Sequence, residues 1–73
     1  MAQYCVNKNA QANGYHEVHC LSDECDYLPY DGDRQPLGEH PDCQSALQEA
    51  KKTYGQSNCC YFCCNDCHTE EVS

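Results

Sequence analysis

Cysteine is the residue that most constrains how this chain can fold. Nine of its 73 residues are cysteine. Five of them lie close together and are followed by a histidine: Cys59, Cys60, Cys63, Cys64, Cys67 and His68. Leucine, isoleucine, valine and phenylalanine together supply only eight residues, about 11% of the chain, where less than about 20% is typical of disordered sequences. The sequence therefore predicts a small domain held by disulfides or by a structural metal instead of a large apolar core.

The charge of the chain excludes several classes of partner. Twelve acidic residues face four basic ones, which gives a net charge of -8. Binding to nucleic acid requires clustered lysine and arginine, and anionic membranes attract basic segments, so neither is an expected ligand. No signal peptide and no run of about 20 apolar residues is visible in the sequence. We therefore expect a cytoplasmic location and a partner that is another protein.

The sequence predicts one α+β domain over residues 1–73. Asn13-Gly14 is typical of a two-residue type I′ turn, which would join strands at 4–6 and 15–21 into a β-hairpin. In that register Cys5 would share a sheet face with Val18 and Cys20, whereas a longer loop would reverse the assignment. Residues 22–36 are rich in Asp, Gly, Pro and Tyr and are predicted to form an ordered loop.

A helix is predicted from Cys43 to Tyr54. Asp42 is a suitable N-cap, Gly55 stands where a C′ glycine belongs, and an apolar stripe runs along one side of the helix. Cys43 would lie in its first turn, where the helix dipole favours a thiolate. Residues 58–64 suit a short strand, although the spacing of the cysteines there also fits a helix.

The segment Cys60-Tyr61-Phe62-Cys63 is a C-x-x-C motif, whose two thiolates can bind one Zn²⁺ while a distant pair completes a tetrahedron. The alternative is a disulfide-stapled module outside the cytoplasm, because cysteine content this high also favours disulfides. Nine is an odd number, however, and leaves one thiol unpaired in an all-disulfide scheme.

Two segments of the sequence can be compared with catalytic or redox motifs. His16-Glu17-Val18-His19 is one residue short of the H-E-x-x-H of zinc peptidases, so we expect no enzyme. Cys64-Asn65-Asp66-Cys67-His68 matches the C-x-x-C-H pattern of c-type haem attachment. A haem electron carrier is therefore a second alternative, although few apolar residues are available to shield a porphyrin.

The chain resembles a group of short bacterial Cys/His-rich proteins that have no established function. The resemblance rests on Y-C-V-N-x-N-A-Q-x-N-G near the start, then H-E-V-H, L-G, a cysteine before a helix, C-Y-x-C and C-H-T. It directs attention to nine candidate metal ligands: Cys5, His16, His19, Cys25, Cys43, Cys60, Cys63, Cys67 and His68. We therefore expect a small acidic module that binds one or two zinc ions and serves protein interaction or regulation.

Overall fold

One mixed sheet of four strands, covered on one face by a single helix, makes up the fold in the computed structural model, which describes residues 2–22, 25 and 28–69. The elements are β1 (Ala2–Asn7), β2 (His16–Cys20), β3 (Arg34–His40), α1 (Cys43–Thr53) and β4 (Ser57–Cys59), with 3-10 turns at Asp31–Asp33 and Asn65–Cys67. The strand order is β3-β1-β2-β4, and only the β2–β4 pair is parallel. The predicted α+β class is confirmed. The described helix is too short and too polar to span a bilayer.

The predicted hairpin is present, but its turn is not the type I′ turn that Asn13-Gly14 suggested. The Gly14 N–H donates to the Gln11 carbonyl over 2.8 Å, and the Gln11 N–H donates to the Tyr15 carbonyl over 2.8 Å. Residues 8–15 join the two strands, and the turn at the tip of this loop spans residues 12–14, with Gly14 in the left-handed position at φ of 87°. The register pairs Cys5 with His19 and Val6 with Val18, so the expectation that Cys5 shares a face with Val18 is wrong.

Helix α1 confirms the sequence prediction to within one residue. The side chain of Asp42 caps it by accepting a hydrogen bond from the Ser45 N–H over 2.8 Å. Its buried residues Ala46, Leu47 and Ala50 form the predicted stripe. Gly55 does not act as the expected C′ glycine, because its φ is not positive. The helix ends instead in Tyr54, whose backbone is extended and whose ring stacks on that of His16 at 4.0 Å.

Strand β3 lies where residues 22–36 were predicted to be a loop, of which 23, 24, 26 and 27 lie outside the described residues. The strand begins inside the predicted loop, at Arg34, and includes Pro36 and Gly38, both of which an edge strand tolerates. The pairing of β3 with β1 shifts by one residue between Tyr4 and Cys5, and Gly38 at this bulge has φ of 80°. The edge position therefore explains why turn-forming residues occur inside a strand.

The sheet separates two environments. The face toward the helix carries the small apolar core, which contains Tyr4, Val6, Val18, Cys20, Ala46, Leu47, Ala50, Cys59, Cys64 and Cys67. Since side chains alternate along a strand, Cys5 and His19 point to the opposite face, where both are fully buried. Four of the ten core residues are cysteines, so sulfur fills space that larger aliphatic side chains occupy in other domains.

We expect Gly38→Ala to lower the free energy of unfolding by about 1–2 kcal/mol, because the left-handed conformation is unfavourable for a residue with a Cβ atom. The added Cβ meets no atom within 4 Å, so the effect is conformational. Gly32→Ala is the matched control, since its Cβ also meets nothing within 4 Å and its φ is not positive. Urea unfolding measures both; equal losses would contradict the role assigned to Gly38.

Candidate metal centre

Four metal-binding side chains meet on the sheet face opposite the helix. They are His19 from β2, Cys25 from the following loop, and Cys60 and Cys63 from the segment after β4, with all four ligand atoms within 4.8 Å of one another. The Cys25 and Cys60 sulfurs are 3.8 Å apart. Nδ1 of His19 lies 3.6 Å from the Cys63 sulfur and 3.9 Å from the Cys25 sulfur. This group, which we call the sheet cluster, can hold a metal ion.

Parallel pairing of β4 with β2 brings this group together. The Cys60 N–H donates to the Val18 carbonyl over 2.9 Å and so extends the β2–β4 ladder by one residue. Val18 and Cys59 point toward the helix, so the next residue along each strand, His19 and Cys60, points to the other face. The chain then turns, with the Cys64 N–H donating to the Cys60 carbonyl over 2.9 Å, and this turn carries Cys63.

His19 presents a neutral imidazole to the cluster. Burial lowers its pKa to about 4, and the nearby Arg34 acts in the same direction. Nδ1 faces the sulfurs, whereas Nε2 is buried, lies 3.7 Å from Oε1 of Glu17 and has no hydrogen-bond partner among the described residues. Since the ring is uncharged at neutral pH, this contact is not an ion pair. The arrangement is that of a metal-binding histidine whose second nitrogen is directed toward a carboxylate.

Backbone N–H groups face the sulfurs of both cysteines in the C-x-x-C motif. Burial raises the pKa of Cys60, but the backbone N–H groups of Cys63 and Phe62 face its sulfur and oppose that shift. Burial also raises the pKa of Cys63, against a backbone N–H of Cys20. N–H groups that point at sulfur stabilise the thiolate form, which is the form that binds metal.

A second group of cysteines lies on the helix side of the sheet. The sulfurs of Cys43, Cys59 and Cys67 are within 4.8 Å of one another. Cys43 and Cys67 are at disulfide distance, with their Cα atoms 6.1 Å apart. The pair joins the first turn of α1 to the C-terminal 3-10 turn. We call this group, together with Cys64, the helix cluster; the interaction with the Cys64 thiol lowers the pKa of Cys59 and raises that of Cys64.

Three predicted ligands lie outside both groups. Nδ1–H of His16 donates to the Asn7 carbonyl over 2.8 Å, and its ring stacks on Tyr54. Nδ1–H of His68 donates to the Cys59 carbonyl over 2.7 Å. Cys5 is buried beneath the sheet, where desolvation raises its pKa to about 11. The structure thus brings together His19, Cys25, Cys60 and Cys63 from the predicted set, and separately Cys43 with Cys67.

The C-x-x-C-H segment is not arranged for haem attachment. Cys64 and Cys67 are buried in the core on the helix side, and Cys67 already lies at disulfide distance from Cys43. The geometry therefore lends no support to the haem alternative.

The predicted metal ligands do not include Cys59 and Cys64. A signal for them exists, because the neighbours Cys59 and Cys60 lie at the end of a strand and must point to opposite faces of the sheet. Each cysteine doublet, Cys59-Cys60 and Cys63-Cys64, supplies one sulfur to each cluster.

Comparison with known proteins finds no matching family model, no similar curated protein and no similar solved structure.

Asn58 secures the backbone of the cysteine-rich segment. Its buried side chain accepts from the Cys59 N–H over 2.8 Å and from the Thr69 N–H over 3.2 Å, and it donates to the Thr69 carbonyl over 2.7 Å. These bonds tie both ends of the segment to β4. The segment therefore holds Cys60, Cys63, Cys64 and Cys67 on a loop whose two ends are fixed.

We expect Asn58→Ala to lower the free energy of unfolding by about 2–3 kcal/mol, since several buried backbone groups lose their partner. Asn65→Ala is the matched control in the same segment, because that side chain is exposed, and we expect a change within about 0.5 kcal/mol. Urea unfolding of both variants under identical conditions gives the comparison. A loss no greater than that of Asn65→Ala would refute the assigned role of Asn58.

Proposed function

We propose that this protein is a small structural-zinc module in which His19, Cys25, Cys60 and Cys63 bind one Zn²⁺. The observation that carries the proposal is the spacing of the four donors. Around a tetrahedral zinc, two sulfurs lie about 3.8 Å apart, and a sulfur and a nitrogen about 3.6 Å apart. The corresponding distances in the sheet cluster are 3.8 Å, 3.6 Å and 3.9 Å.

The chemistry of the donors favours zinc over other common ions. Magnesium and calcium prefer oxygen ligands, whereas three thiolates and one imidazole in a tetrahedron are typical of structural zinc sites. Four protein ligands fill the coordination sphere and leave no position for water or substrate. This closed set supports a structural role and a protein that is not an enzyme.

Zinc would supply the stability that the apolar core lacks. Binding of Zn²⁺ to sites of this kind contributes about 10–16 kcal/mol to folding, several times what a core of this size provides. Three thiolates and one Zn²⁺ leave a net charge of -1, and burial of that charge requires compensation. The positive charge of Arg34 acts on both His19 and Cys5 and would offset part of this charge, although its guanidinium also pairs with Asp31 at 3.0 Å.

A role in protein interaction is supported by two aromatic side chains on the turn between Cys60 and Cys63. Tyr61 and Phe62 are 56% and 64% exposed and pack edge to face with centroids 5.3 Å apart. Aromatic residues are enriched at protein interfaces, and the zinc ligands on either side would hold this pair in a fixed position. Together with the acidic charge, the pair suits a partner with a basic and apolar surface.

We expect chelation of zinc to unfold the protein, whereas reduction alone leaves it folded. Cys63→Ser should weaken zinc affinity by more than about 100-fold, a larger effect than loss of a residue outside the coordination sphere. Cys5→Ala is the matched control, because it removes a buried cysteine of the same sheet face that lies outside both clusters. Native mass spectrometry counts the bound zinc, and circular dichroism follows the helix. An unchanged spectrum in excess chelator would refute the proposal.

We expect Glu17→Gln to weaken zinc affinity by about 10-fold, since the carboxylate near Nε2 would orient the imidazole and strengthen it as a ligand. The metal-to-protein ratio should stay unchanged, and the variant should still fold when zinc is saturating. Glu39→Gln in β3 is the charge-matched control. Competition with a chromophoric chelator measures both affinities; equal values for the two variants would exclude a role for Glu17.

The disulfide alternative is favoured by one specific observation, the Cys43–Cys67 pair. All nine cysteines lie among the described residues, and the other seven are not at disulfide distance from any partner. A single cross-link leaves the sheet cluster without a bond between its members. The disulfide joins α1 to the C-terminal 3-10 turn, whereas zinc would bind on the opposite face of the sheet. The disulfide therefore does not replace the metal.

A further inference from the structure

The helix cluster contains a donor set that the proposed zinc module does not use. Cys43, Cys59 and Cys67 are drawn from α1, β4 and the C-terminal 3-10 turn, and their three sulfurs lie within 4.8 Å of one another. Segments distant in sequence thus bring three thiols to one point inside the core. Only two of them are needed for the cross-link between α1 and the C-terminal turn, which leaves the Cys59 sulfur beside it with no covalent partner.

A fourth thiol lies near Cys59. Cys64 is 4% exposed, belongs to the same core and interacts with Cys59, whose pKa it lowers. Its sulfur lies outside the group of three sulfurs that are all within 4.8 Å of one another. Cys59 and Cys67 are equally well buried, at 0% and 5% exposure. Cys64 therefore supplies the fourth thiol that a Cys₄ site, a common structural site for zinc, requires.

An opening connects this cluster to solvent. A cleft of about 390 Å³ beside the first turn of α1 is lined by Cys43 and Cys64 and has the carboxylates of Asp42 and Asp66 in its wall. Carboxylates attract cations and raise their local concentration. Cys43 is half-buried at this cleft, so a small reductant can reach its sulfur.

We propose that Cys43, Cys59, Cys64 and Cys67 form a second site for a thiophilic divalent cation such as Zn²⁺, and that the Cys43–Cys67 disulfide and this metal exclude each other. A sulfur in a disulfide has no charge to donate, so the oxidised cluster retains too few thiolates for tight binding. The number of metal ions bound by the protein then depends on its redox state. The site uses four ligands of its own, none of which belongs to the sheet cluster.

The redox step balances with a small dithiol as the reductant. The S–S bond of Cys43–Cys67 breaks and takes up two electrons and two protons, while the dithiol closes to a disulfide. Zn²⁺ then displaces the protons of the four thiols and binds the thiolates. In the reverse direction, the Cys43 and Cys67 thiolates give two electrons to a low-molecular-weight disulfide and form the S–S bond, while the small disulfide breaks and takes up two protons from water to become two thiols. The zinc ion leaves, and Cys59 and Cys64 take up two further protons.

The experiment compares the full-length protein in two redox states. Native mass spectrometry in zinc-containing buffer should show two zinc ions per chain after treatment with a phosphine reductant. The untreated disulfide form should show one zinc ion and a polypeptide mass lower by two hydrogens. Cobalt(II) as an optical probe should add a second set of thiolate charge-transfer bands only in the reduced protein.

Variants assign the second ion to its ligands. Cys59→Ser and Cys64→Ser should each bind one zinc ion in both redox states, whereas the control Cys5→Ala should retain two in the reduced state. Cys63→Ser, measured with enough zinc to keep it folded, should bind the sheet-cluster ion more weakly and should still gain the second ion under reduction.

One zinc ion in both redox states of the unmodified protein would overturn the proposal while leaving the sheet-cluster site intact. Two ions in the disulfide form would also overturn it. If the unmodified protein bound no zinc in the sheet cluster but did bind an ion in the reduced helix cluster, the first proposal would be refuted instead. The failures of the two proposals are therefore distinguishable.

Discussion

The rest of the structure depends on the convergence of sulfur atoms at the segment that follows β4. One group of side chains reaches back to β2 and the loop beyond it, and the other reaches α1. Contacts between residues so far apart in sequence restrict the chain far more than local turns do. Because the segment lies between the two groups, it ties the helix layer and the opposite face of the sheet to one short piece of backbone.

This arrangement explains how a chain with so few aliphatic residues can fold. The helix covers the sheet with Ala46, Leu47 and Ala50, which are too small to bury much apolar area. Small side chains let the helix approach the sheet closely, and cysteine fills the remaining space. The thin core and the sulfur groups therefore stabilise the fold together, and neither is sufficient to keep the chain folded without the other.

Local signals predicted local structure well. Asp42 and the apolar stripe identified α1, because capping and helical periodicity are encoded within a few residues. The existence of the hairpin followed from Asn13-Gly14, but its register did not, because eight residues, 8–15, join the strands and an odd shift of register moves every side chain to the other face. The C-x-x-C motif identified Cys60 and Cys63 as a pair, whereas their neighbours His19 and Cys25 in the sheet cluster depend on the parallel pairing of β2 with β4. That pairing is a long-range contact with no local signature, and β3 was missed for the same reason.

The two outer strands of the sheet have a consequence for self-association. Open sheet edges offer unpaired backbone groups to other chains, and long regular edges promote aggregation. At one edge β3 carries Pro36, which has no N–H to donate, and a bulge that interrupts its regular course. At the other edge β4 contains only three residues. Neither side of the described sheet is a good template for adding a strand, which protects the protein from assembling with its own copies.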